Sequence, residues 1–175
     1  MRAGTGRADW RFALQWIAAS LAGLAVGAGL LLVISKGLGV MPHKGIMGAV
    51  AGGTVGTLQW FVLRRHGVRS AWWVVACVIA WGISAPMELV GGLTLSIAVL
   101  AVLAGTLQGL AIRGLIPRTY WWLPVNVAAW SVFLGIVRLT SQLSNPGVGI
   151  GVGFALVCAI TGTALARMLR VEPVP

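Results

Sequence analysis

The sequence predicts an all-α integral membrane protein, with six transmembrane helices arranged as three tandem αα-hairpin repeats in a single domain over residues 1–175. Three observations carry this. Hydrophobic residues make up 58% of the chain and charged residues 9%, with a mean hydropathy of +0.93, which is more apolar surface than a water-soluble chain of this length can bury. The apolar residues fall into six runs of about 20 residues, the length that crosses a ~30 Å hydrocarbon core at ~1.5 Å per residue. Finally, Gly56-Thr57-Leu58-Gln59 returns as Gly105-Thr106-Leu107-Gln108, 49 positions later, and the doublet Trp72-Trp73 returns as Trp121-Trp122 at the same offset. A weaker third copy is Gly162-Thr163, and Trp16 precedes Trp73 by the same 57 positions that separate Gly105 from Gly162.

The spans follow in order. A basic segment, Met1 to Arg11, leads into the first, Phe12 to Ile34, which is too long for the apolar core of a typical signal peptide and is read as a retained helix. Lys36, Gly37, Gly39, Pro42, His43 and Lys44 break the chain. The second span is Gly45 to Leu63, closed by Arg64, Arg65, His66 and Arg69. The third is Ala71 to Met87, and Pro86, Glu88, Gly91 and Gly92 end it. The fourth is Leu93 to Ile112, stopped by Arg113, Gly114, Pro117 and Arg118. The fifth, Tyr120 to Leu139, holds Pro124 and Asn126. A polar turn over Thr140 to Gly147 precedes the sixth, Gly147 to Ala166.

The net charge is +10, yet the arginines sit in short clusters between apolar runs and form neither a continuous basic face nor a nucleic-acid motif. No nucleic-acid partner is expected; anionic lipid headgroups are. Ten of the thirteen lysines and arginines fall on the side shared by the termini and the second and fourth loops, and Lys36, Lys44 and Arg138 on the other. By the positive-inside bias, both termini lie in the cytoplasm, in a bacterial inner membrane. The nine tryptophans, with Tyr120, are read chiefly as an interfacial belt at that face.

Gly48, Gly52 and Gly56 step by four along the second span, a small-residue stripe where a neighbouring helix can approach closely. Gly105 with Ala101, and Gly162 with Gly151, Ala155 and Cys158, echo it in the fourth and sixth. The polar residues inside or beside the spans, Gln59, Gln108, Asn126, Glu88 and Arg138, are candidate cavity liners, because an amide in hydrocarbon needs a partner or a water. Adding 49 to Glu88 reaches Val137, beside Arg138, so these two charges are a candidate ion pair. No paired carboxylates, metal-ligand spacing, nucleophile elbow or phosphate loop occurs. Neither enzymatic activity nor a cofactor is expected, and Cys77 and Cys158 read as small buried thiols.

The run Gly56-Thr57-Leu58-Gln59-Trp60-Phe61-Val62-Leu63-Arg64-Arg65, followed by Ala71-Trp72-Trp73-Val74 and Trp81-Gly82, resembles a group of uncharacterised bacterial multi-pass membrane proteins of cyanobacterial and Chloroflexota type. These are built from Leu-Gln-Trp-x-x-Leu-Arg and Trp-Trp-Val repeats. The resemblance is close over residues 48–82 and degenerate over 101–130, where Gly109 replaces the tryptophan; it implies the membrane repeat architecture and no activity. Two functional classes fit. One is a non-catalytic scaffold or accessory subunit packed against other membrane-protein subunits, copies of itself, lipids or pigments. The other is a small transporter or channel-like bundle for a small solute.

Overall fold

The computed structural model describes residues 7–39, 41–142 and 146–170, and it is almost wholly helical. The elements are α1 (Arg7–Leu38), α2 (Lys44–Arg65), α3 (Trp72–Ile112), a 3-10 turn (Thr119–Trp121), α4 (Trp122–Gln142) and α5 (Pro146–Leu169). All five α-helices are long and apolar enough to cross a membrane. Arg2, Glu172 and residues 143–145 of the expected polar turn lie outside the described residues.

Five helices stand where the sequence predicts six spans, because the third and fourth fall within α3. That helix is not straight. Gly91 (φ −133°, ψ 20°) and Gly92 (φ 68°, ψ −173°) leave helical geometry, and the Gly92 conformation is one that side chains with a Cβ scarcely adopt. Along a straight helix, residues 77 and 108 would lie about 46 Å apart at ~1.5 Å per residue. Instead the Gln108 amide donates to the Cys77 sulfur at 3.1 Å, so the chain reverses at the glycine pair. The two limbs of α3, residues 72–90 and 93–112, run back along each other. The predicted break is therefore a two-residue turn, and the helix continues through Pro86 to reach it.

The other turns have local causes. At the start of α2, His43 Nδ1 accepts the Gly45 amide at 3.2 Å and caps the helix. At its end, Gly67 takes φ +88°, and the Gly67 and Val68 amides return to the Arg64 and Leu63 carbonyls at 3.2 and 3.0 Å. This is a Schellman stop with its apolar contact, Val68 and Leu63 both being buried.

Each helix packs on the next, and α5 closes on α1, so the helices form a ring. The predicted glycine stripe faces the first limb of α3. A Cβ at Gly48 would collide with the Trp81 carbonyl; at Gly52 it would lie 2.5 Å from the Cys77 carbonyl oxygen, and at Gly56 2.7 Å from Cys77 Cβ. Gly105 repeats the arrangement one unit later, with Leu123 Cα at 3.0 Å and Asn126 Cβ at 3.3 Å. Gly162 abuts the Trp16 ring at 2.8 Å. The stripe expected through Gly151 is corrected: that residue meets nothing, and Gly149 and Gly153 face α4 instead, against Thr140 and Phe133. Helices α2 and α5 are more buried than α1 and α4, consistent with their small-residue faces.

Candidate functional site along the helix ring

The site begins with three tryptophans spaced by the sequence offsets of 57 and 49. Trp16 of α1, Trp73 of α3 and Trp122 of α4 are fully buried, and neighbouring rings lie 5.5 Å (Trp16–Trp73) and 5.7 Å (Trp73–Trp122) apart. An indole N–H only donates, and away from water it must find an acceptor. Trp73 donates to Gln59 Oε1 and Trp122 to Gln108 Oε1, each at 3.1 Å and each over 14 residues of sequence. The Gly-Thr-Leu-Gln motif and the tryptophan doublet keep one offset because they bond each other. With its oxygen turned to the indole, each carboxamide presents its NH2 to the preceding limb: Gln59 donates to Ser20 Oγ at 2.9 Å, and Gln108 to Cys77 Sγ at 3.1 Å. Each glutamine thus ties together the two limbs on either side of it.

Ser20, Cys77 and Asn126 stand four residues after Trp16, Trp73 and Trp122 and carry the same offsets of 57 and 49. Ser20 Oγ donates to the Trp16 carbonyl at 2.8 Å and Asn126 Nδ2 to the Trp122 carbonyl at 3.0 Å. In the third copy the glutamine position is Leu165, which cannot accept. Thr161, one turn earlier, accepts from Trp16 Nε1 at 3.2 Å and passes its own hydrogen to the Val157 carbonyl at 2.7 Å.

Beyond this layer lies a second aromatic group. Trp81, Trp130 and Phe154 touch pairwise, with centroids 6.0, 6.1 and 6.3 Å apart. They separate two spaces. One is a cavity of about 30 Å³ bordered by Gln59, Gln108, Asn126, Thr161 and the tryptophans, room for roughly one water. The other is a chamber of about 220 Å³ on the opposite side, lined mainly by apolar and aromatic groups with Ser84, Ser96 and Glu88. Both cysteines are free and buried. No set of three potential metal ligands converges among the described residues.

The predicted polar liners therefore divide. Gln59, Gln108 and Asn126 border the small cavity, the two glutamines with both amide atoms bonded and Asn126 with its Nδ2 bonded to its own helix; Glu88 borders the chamber, and Arg138 borders neither. The expected pairing of Glu88 with Arg138 is corrected. Glu88 Oε2 accepts from Lys44 Nζ at 2.6 Å, and Arg138 Nη2 donates to Thr94 Oγ1 at 2.8 Å. Both bonds join the start of one helix or limb to the end of the helix or limb packed against it, so each charge is engaged by its neighbouring element rather than by the other.

The tryptophan belt is corrected as well. Trp10, Trp72, Trp121 and Tyr120 project outward, whereas Trp16, Trp73, Trp122 and Trp130 belong to the interior. The two members of each doublet face different surroundings, one outside and one inside, because neighbours on a helix lie about 100° apart. Three contributors escaped the sequence reading: Ser20, Cys77 and Thr161. The first two were recoverable from their offset with Asn126. Thr161 was not, since it breaks register by one turn. Comparison with protein families, curated proteins and solved structures produces no match, so the resemblance noted above rests on its motifs.

Proposed function

We propose that this chain is a non-catalytic membrane scaffold or accessory subunit of a bacterial inner membrane, crossing it six times as three hairpins with both termini cytoplasmic. The reversal at Gly91–Gly92 supports six crossings. Near-equivalent Trp–Gln and Trp–Thr bonds support three units. The basic asymmetry of the loops supports the orientation. One observation carries the functional reading: Gln59, Gln108 and Thr161 are engaged with side chains of neighbouring helices or limbs, linking successive hairpins, and the Trp81–Trp130–Phe154 contacts fill the space between the two cavities, although the buried Trp60 Nε1 has no hydrogen-bond partner. Groups so engaged favour cohesion over chemistry or passage. Its partners are anionic lipid at the arginine-rich face and other membrane subunits or copies of itself. Purification in mild detergent followed by mass spectrometry of co-purifying species tests this: a stoichiometric protein partner or self-association is expected, and a bound small metabolite with no protein partner would overturn it.

A second reading, a small transporter, is favoured by the 220 Å³ chamber with Glu88 at its edge. It requires the aromatic contacts to part. Solute flux in proteoliposomes that disappears in Glu88→Gln would select this reading over the first.

A further inference from the structure

The repeat is broken at one place in a way that makes a site. In the first unit, Trp60 follows Gln59, and the Arg64 guanidinium lies 5.4 Å from its ring centroid. In the second unit, 49 residues on, the arginine is kept as Arg113 but the tryptophan is replaced by Gly109. Where a ring would stand there is a groove of about 480 Å³ between the second limb of α3 and the start of α4. Its floor is Gly105, Gly109 and Leu123, and its mouth carries Arg113, Arg118 and Tyr120. A Cβ on Gly109 would meet nothing closer than 3.7 Å, so the glycine is not there to admit a neighbouring helix.

The mouth is cationic. Among the described residues the one ion pair is Lys44–Glu88, so neither Arg113 nor Arg118 has a carboxylate. Arg118 is also the one non-glycine residue among them with positive φ, at 58°, a conformation that tends to persist where a site requires it. A guanidinium at the edge of hydrocarbon needs water or an anion, and the planar fork matches phosphate oxygens. Below it the groove runs two helical turns, from Arg113 to Gly105, along a mainly apolar wall of Leu110, Leu123 and the two glycines that also carries Thr106. A free phosphate would use only the mouth.

We infer that this groove binds one anionic phospholipid, its phosphate between Arg113 and Arg118 and an acyl chain along Gly109 and Gly105. The inference rests on the reading of the chain as membrane-spanning, and it is independent of which face is cytoplasmic and of the scaffold assignment. Native mass spectrometry of the detergent-purified full chain, titrated separately with phosphatidylglycerol and phosphatidylcholine, tests it. The wild type should retain one phosphatidylglycerol in preference, and Arg113→Gln/Arg118→Gln should weaken that retention about thirtyfold. Gly109→Trp, which restores the ring of the first unit, should abolish it. Arg64→Gln/Arg65→Gln, an equal loss of charge elsewhere, should leave it unchanged. Thermal melts identify variants that fail to fold; if Gly109→Trp is one, the exposed arginine pair decides. Equal retention of the two lipids, or equal weakening by the Arg64/Arg65 variant, would overturn the site. Displacement of the lipid by millimolar inorganic phosphate would reassign it to a free anion.

Discussion

Gln59 and Gln108 each satisfy two groups on two different limbs, so their loss should propagate further than that of an ordinary interhelical hydrogen bond. Gln59→Leu leaves the Trp73 indole without its acceptor and Ser20 without its donor. At about 1 kcal/mol for each membrane hydrogen bond, a destabilisation of roughly 1–3 kcal/mol is expected in detergent thermal melts. Thr57→Ala in the same turn removes only a bond to its own helix, Thr57 Oγ1 to the Gly53 carbonyl at 2.7 Å, and should change stability by less than about 0.5 kcal/mol. Equal effects would mean that the glutamines do not link the neighbouring helices. The Lys44–Glu88 pair differs in kind. Its side chains are 38% and 47% exposed, so solvent screening holds its worth to about 1 kcal/mol or less. A double-mutant cycle should find coupling of Glu88→Gln with Lys44→Gln and additivity with Arg138→Gln; the reverse result would restore the pairing that the repeat offset suggested.

Helices in a bilayer gain little from the hydrophobic effect against one another, so their contacts depend on close backbone approach. Gly52 lets α2 reach the Cys77 carbonyl and the Trp81 side chain. Gly52→Leu should separate α2 from α3 and sharply reduce the yield of folded protein in detergent. Gly135→Leu in α4, an identical change at an exposed position with no neighbour within 4 Å, should be tolerated. If both variants lose yield alike, helix propensity or insertion is responsible and the α2–α3 contact is not. The turn inside α3 rests on another property of glycine. At φ 68° and ψ −173°, Gly92 has open space for a Cβ, so Gly92→Ala tests conformation alone, and an unfolding cost of about 1–3 kcal/mol is expected from melts.

For the whole molecule, the reversal in α3 decides how many times the chain crosses the membrane. With Cys77 and Cys158 replaced, single cysteines at the exposed positions Lys36, Arg69 and Val90 should divide under impermeant labelling of intact cells. Positions 36 and 90 should react from outside, and position 69 only after permeabilisation. A position 90 protected on both sides would place it mid-membrane and return α3 to a single straight crossing. The opposite labelling of all three would keep the hairpins and invert them, against the loop charges.

Composition and the length of the apolar runs determined the helical, membrane-compatible class, because in hydrocarbon only helices and closed barrels satisfy the backbone hydrogen bonds, and continuous apolar runs of about 20 residues fit helices rather than the short alternating strands of a barrel. The 49-residue offset also pointed to a recurring contact, the Trp–Gln bond made at Trp73–Gln59 and again at Trp122–Gln108, since a contact made more than once leaves the same letters at the same spacing. Which face of each helix turns inward was harder to read. Trp72 and Trp73 are chemically identical, yet one is outside and the other is the donor to Gln59; a run apolar on all sides carries little amphipathic signal to tell them apart. Glu88 and Arg138 show the same limit, for the repeat offset suggested that they pair while their partners, Lys44 and Thr94, depended on which limbs are neighbours. Thr161 and the Gly109 groove lie where the repeat is imperfect. There the sequence records only that a letter has changed, and the packing around it decides whether the vacated space is filled by a residue one turn away or left as an open groove.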